Sequence, residues 1–164
     1  MKISELPNCP QWLLDAYTKD ADVEWSAQRT LLWNSGAFLG GAFWGGEFWG
    51  DAFLGGEFRG GEFRGGAFLG GEFWGDAFRG GEFRGGAFWG EKLSRNPLLL
   101  RGLKWHVTIT DNQMEIGCER HLISEWRTFD NATINRMDRH ALKFWLAHKA
   151  VLLALCEARG PTAA

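Results

Sequence analysis

The chain has 164 residues, enough for about one domain with a core of its own. Its formal charge of −2 excludes bulk attraction to nucleic acid as the dominant property, so direct DNA binding is not expected. Cys9, Cys118 and Cys156 form no even-numbered framework, and no basic-then-apolar leader opens the chain, so reduced thiols and a cytoplasmic setting are expected. The longest apolar run, Ala150 to Cys156, is far short of the roughly 20 residues that a membrane span requires.

Residues 1–34 read as an N-terminal cap. Pro10 to Tyr17 predicts a short helix with Pro in its first turn, and Thr30 to Asn34 predicts a strand. Trp12, Trp25 and Trp33 are expected to pack within this cap.

Within the next segment, 35–91, residues Gly36 to Gly90 repeat one five-residue phrase eleven times without a gap, from GAFLG through GEFWG and GEFRG to GAFWG. A period of five fits neither the 3.6 of a helix nor a long strand, and paired glycines oppose a helix by about 1 kcal/mol each. Five residues can alternate briefly and then turn, with Phe inward and Gly at the corner. A short fixed period is also the mark of a solenoid, whose units bury their apolar side only against neighbours.

On this phrase the chain resembles the pentapeptide-repeat family. That resemblance implies a right-handed, four-sided β-helix with twenty residues per coil. It departs from the family's pattern two residues before Phe, where a small side chain is usual and this chain has Gly nine times and Asp twice. Asp51 and Asp76, the exceptions, are expected to bond to the local turn backbone.

Twenty residues per coil would stack Phe38 on Phe58 and Phe78, about 4.8 Å apart. The outward residues would then sort into two apolar sides and two arginine sides. Trp49, Leu54, Leu69, Trp74 and Trp89 become a candidate interaction surface, either covered by the chain's own terminal segments or open to a partner. Arg59, Arg64, Arg79 and Arg84 become a candidate anion site, with a Glu-laced solvated surface as the alternative.

Residues 92–164 read as a C-terminal hairpin and helical cap. Asn96-Pro97 marks a turn, and Leu103–Thr110 and Met114–Cys118 alternate around Asp111-Asn112-Gln113 as a β-hairpin. Ser124 and Asp130 open short helical segments. A long helix is expected from Asp138 to about Arg159, with one apolar face on Leu142, Trp145, Leu146, Leu152, Leu153 and Cys156 and a second on Phe144, Val151 and Leu155. Two apolar faces suggest burial against two neighbours, one of them a second copy, and hence a homodimer through this helix.

Cys118 and His121 have the spacing of half a metal site, with His106, His140, His148 and Cys156 as the only further donors at hand. A small core thiol at a strand end fits the same residues, so no metal, cofactor or catalytic residue is assigned. The glycines recur evenly and open no helix, which argues against a phosphate-cradling loop.

The fold class expected is therefore mainly β, a short solenoid with caps. The function expected is non-enzymatic binding. Around Ile116-Gly-Cys118, His121, Trp126 and Phe129-Asp130 the chain is similar to uncharacterised phage and prophage proteins, which implies an accessory protein that engages and inhibits a host factor of defence or nucleic-acid handling. A sponge for a small anionic nucleotide and a structural scaffold are the alternatives.

Overall fold

The computed structural model describes residues 1–93 and 95–160, which fall into two compact units, Met1–Asn96 and Pro97–Ala164. The first is a parallel β-solenoid of close to four turns, and the fold is mainly β as the repeat predicts.

A short helix α1 (Gln11–Leu14) leads into strand β1 (Tyr17–Trp25), which turns through Ser26–Thr30 into strand β2 (Leu31–Gly40). Tyr17 therefore begins a strand and does not end a helix. The reason is the open edge of the first coil: β1 pairs antiparallel along β2 and supplies partners for backbone groups that would face water unpaired. Among the described residues ten two-residue strands follow, from β3 (Ala42–Phe43) to β12 (Ala87–Phe88), one per repeat.

The coil takes fifteen residues and has three sides, not twenty and four. Phe38 is in register with Phe53, Phe53 with Phe68 and Phe68 with Phe83; Phe43, Phe58, Phe73 and Phe88 form the second column; Trp33, Phe48, Phe63 and Phe78 form the third. Backbone ladders run between the same coils, as in Arg59 N to Phe43 O (2.7 Å) and Leu69 N to Phe53 O (2.8 Å).

Interior volume explains the number of sides. Each repeat sends one large side chain inward. Phe48, Phe53 and Phe58 meet edge to face with centroids 6.0, 5.7 and 6.4 Å apart, which closes a triangle of rings with no central gap. A fourth ring would open a void that only a second inward side chain could fill, and the residue two before Phe supplies none.

That residue is Gly for a backbone reason. At Gly56 and Gly61 φ is +88° and +82°, and a Cβ would lie 2.1 Å from the carbonyl oxygen of Gly41 and Gly46 in the coil below. Successive rings stack nearly parallel at 4.6 to 5.2 Å, as Phe38 on Phe53 and Phe58 on Phe73, and Phe38 to Phe73 are all fully buried.

Asp51 and Asp76 do not bond to their local turns. Asp51 donates its N–H to Gly36 O (2.9 Å) and accepts the Gly36 N–H on Oδ2 (3.1 Å); Asp76 makes the same exchange with Gly61 (2.9 and 2.9 Å). Each ties its corner to the coil below.

At the N-terminal end Trp12 meets Phe43 edge to face at 5.4 Å, and fully buried Trp33 takes the place of a Phe in the third column. Both pack as cap residues. Trp25 lies at the cap margin, its Nε1 donating to Pro7 O (2.8 Å).

The second unit contains a four-stranded antiparallel meander, β13 (Leu98–Leu100), β14 (Val107–Ile109), β15 (Gln113–Ile116) and β16 (Glu119–Leu122), followed by α2 (Ile123–Thr128), α3 (Asn131–Met137) and α4 (Ala141–Arg159). The predicted hairpin is β14–β15, with two further strands beside it. Ser124 is not the cap of α2: the Glu125 carboxylate accepts the Leu122 N–H (2.9 Å) instead.

Asp130 does cap α3 through Thr133 N (2.7 Å), and that backbone hydrogen bond holds its carboxyl below the usual range. In α4 the buried stripe is Phe144, Trp145, Leu152, Cys156 and Arg159, while Leu146 and Val151 are each 62 % exposed. Arg159 reaches Asp111 Oδ1 with Nε and Nη2, both at 3.0 Å, and both side chains are buried.

Candidate binding surface

The fifteen-residue register re-sorts every outward side chain of the solenoid. Leu39, Leu54, Leu69 and Arg84 follow the first Phe column, Trp44, Arg59, Trp74 and Trp89 the second, and Trp49, Arg64 and Arg79 the third.

The first face is the apolar one. Leu39, Leu54 and Leu69 are 42, 45 and 43 % exposed, and Ala37, Ala52 and Ala67 lie in register beside them. Leu residues stacked on a flat ladder present a continuous apolar strip rather than isolated side chains. Arg84, paired with Glu82, ends it.

The third face is charged. Arg64 Nε lies 3.2 Å from Glu47 Oε2, Arg64 also pairs with Glu62, and Arg79 Nη2 lies 3.0 Å from Glu62 Oε1. Arg64 also covers the Trp49 ring at 5.3 Å, and Trp49 Nε1 donates to Glu47 (3.1 Å).

The second face alternates aromatic and cationic groups. Arg59, paired with Glu57, lies 4.8 Å over the Trp44 ring from the coil above. Trp74, one coil further, donates Nε1 to Glu72 (3.2 Å). Trp44, Glu57, Arg59, Glu72 and Trp74 line an open cleft of about 330 Å³.

The five residues expected to form one interaction surface are thus divided. Leu54 and Leu69 share the leucine face, Trp49 belongs to the charged face and Trp74 to the cleft. Trp89 is only 4 % exposed: the repeat ends there, the chain turns so that Phe88 N meets Glu91 O (2.7 Å), and the indole lies 4.6 Å from the Phe88 ring.

Nor do the four arginines converge. Arg59, Arg64 with Arg79, and Arg84 occupy three different faces, and all four are paired with carboxylates. A concentrated anion site would need them together and unpaired.

Sequence reasoning missed the cleft partners Trp44, Glu57 and Glu72. A signal was present: GAFLG at 36, DAFLG at 51 and GAFLG at 66 recur at fifteen, which lines up Leu on Leu and Ala on Ala, whereas a spacing of twenty gives no uniform outward column.

In the C-terminal unit a cavity of about 110 Å³ is lined by Trp105, Cys118, Trp126, Phe144 and Trp145 among others. The candidate metal donors do not assemble around it. His121 Nε2 is 2.8 Å from Glu119, His148 lies against Phe144, His140 bonds with Arg139, and Cys156 is buried beside Met114 Sδ at 4.0 Å. Among the described residues no group of three or more His, Cys, Asp or Glu is placed to hold a metal ion, and no helix is long and apolar enough to cross a membrane. Burial raises the Cys156 thiol above its ordinary range, and raises Cys9 as well, while Cys118 is exposed.

No family model, no curated protein and no solved structure matches the chain.

Proposed function

We propose that the chain is a non-enzymatic binding protein, an accessory protein of a phage or prophage that engages a host factor of defence or nucleic-acid handling. The observation that supports the binding half is the leucine face, three stacked Leu more than two-fifths exposed on a rigid ladder, where a solvated surface would carry charge. The phage half rests on the likeness of the C-terminal segment alone.

Imitation of duplex DNA is a poor fit. Eleven repeats at three per coil give about 18 Å of solenoid, over which DNA carries about ten charges, and the repeats hold seven acidic residues against four arginines. Sequestration of a small nucleotide is the weaker alternative, because the arginines are dispersed and paired; calorimetry against a nucleotide panel separates it. A second copy docking through Leu146 and Val151 of α4 belongs to the same proposal, and sedimentation giving a monomer removes that part.

The test is affinity capture from a bacterial lysate beside a variant with Leu39→Glu, Leu54→Glu and Leu69→Glu combined. A protein retained by the native chain, lost with the variant and re-bound from purified components supports the reading. Capture that is identical for both chains, or absent from both, overturns it.

A further inference from the structure

The solenoid repeats one small motif on its outer surface. Trp44 carries the Arg59 guanidinium over its ring, with Glu57 as the counter-charge, and Trp49 carries Arg64, with Glu47 and Glu62. In both, a cation from the coil above lies over the indole and a carboxylate beside it fixes the position. Cation over π-face plus carboxylate is a complete recognition unit for guanidinium.

Trp74 has the indole and the carboxylate but no cation. The repeat above it offers Trp89 where the other two offer Arg. Among the described residues no guanidinium or ammonium lies over the Trp74 ring, and Glu72 forms no ion pair. The ring is held in place all the same. Its Nε1 donates to Glu72 (3.2 Å), and its Cη2 edge abuts Gly90, where a Cβ would come within 3.2 Å. The side toward Arg59 opens into the cleft of about 330 Å³. Two carboxylates against one arginine leave that cleft one positive charge short.

We infer that the Trp74–Glu72 cleft is a binding site for a guanidinium group, the arginine side chain of a protein partner, which brings to Trp74 from the open side toward Arg59 the cation that Arg59 and Arg64 bring to Trp44 and Trp49 from the coil above. The inference rests on the reading of the chain as a binding protein, and the titration below can fail while capture through the leucine face succeeds, or the reverse.

The experiment is an NMR titration of the ¹⁵N-labelled protein with the peptide acetyl-Gly-Arg-Gly-amide, following the indole N–H signals of its ten tryptophans, with Trp74 assigned by Trp74→Phe. The Trp74 signal shifts saturably with the arginine peptide and stays in place with the citrulline peptide, which has the same shape without the charge. Glu72→Gln weakens the response about tenfold. Arg59→Ala, which strips the guanidinium from Trp44, gives Trp44 a new response to the same peptide. No saturable shift at Trp74, an equal response to citrulline, equal shifts at Trp49 and Trp74, or a Trp44 that stays silent in Arg59→Ala would each overturn the inference.

Discussion

In the solenoid every Phe of the repeats stacks on another Phe fifteen residues away, whereas in the C-terminal unit Trp126 meets Trp145 at 5.2 Å and Trp105 meets Phe144 at 5.1 Å, pairs that no spacing announces. The first core is a column in which each ring touches its own layer and the layers next to it. The second is a closed assembly in which Val107, Ile109, Met114, Trp126, Phe144 and Trp145 come from strands and helices far apart in sequence. The difference shows where specificity resides. A column tolerates any outward residue and is local in its energetics, whereas the closed core is pinned by single contacts such as Asp111 with Arg159, 48 residues apart.

The largest expected effect breaks a column. Phe63 is fully buried and stacked on both sides, on Phe48 at 5.1 Å and Phe78 at 5.0 Å, so Phe63→Ala should cost roughly 3–5 kcal/mol in urea unfolding. Adding Phe78→Ala should cost less than it does alone, because the stacked pair is already lost. Strict additivity would show that the rings do not act as a column.

Next is the pin of the closed core. Arg159→Met leaves the buried Asp111 without this partner and should cost about 3 kcal/mol, part of which Asp111→Asn restores. A smaller effect is expected at the corners: Asp76→Ala removes the acceptor of the Gly61 N–H at an exposed site, worth about 1 kcal/mol.

The smallest effect concerns the thiols. Cys118 should react first with a disulfide reagent and Cys156 last, because Cys156 is buried and its thiol is held above its ordinary range. A folded-state pKa that is raised keeps the proton in the native chain, so its contribution is intact below the ordinary thiol pKa of about 8.5 and declines as pH rises beyond it. Equal labelling rates for Cys118 and Cys156 would contradict this burial.

Much of the fold was legible. The five-residue phrase gave inward Phe, a solenoid, and stacking close to 4.8 Å, and Asp130 was readable as a cap. The coil size was not in the five-residue period, which is the same in a three-sided and a four-sided tube; only the weaker recurrence of AFLG at 37, 52 and 67 pointed to fifteen. What selects between them is how many rings fill the interior and how closely Gly56 approaches Gly41, which are properties of the assembled coil. The faces depended on that number: twenty residues per coil would stack Leu39 on Arg59 and Leu54 on Trp74, where fifteen stacks Leu on Leu. In α4 the pattern contained enough apolar residues for two faces, and packing buried Phe144 of the second together with Trp145, Leu152 and Cys156 of the first, leaving one residue of each, Val151 and Leu146, exposed.

The three-sided coil can be tested by a pair of disulfide traps. With Cys9, Cys118 and Cys156 replaced, Leu54→Cys with Leu69→Cys puts two Cα atoms on adjacent coils about 4.8 Å apart, within the 4.4–6.8 Å between Cα atoms that a disulfide spans, whereas Leu54→Cys with Trp74→Cys puts the two residues on different faces. Oxidation should close the fifteen-residue pair within one chain and leave the twenty-residue pair reduced. Closure of the twenty-residue pair in place of the fifteen would contradict the triangular coil and every face assigned from it.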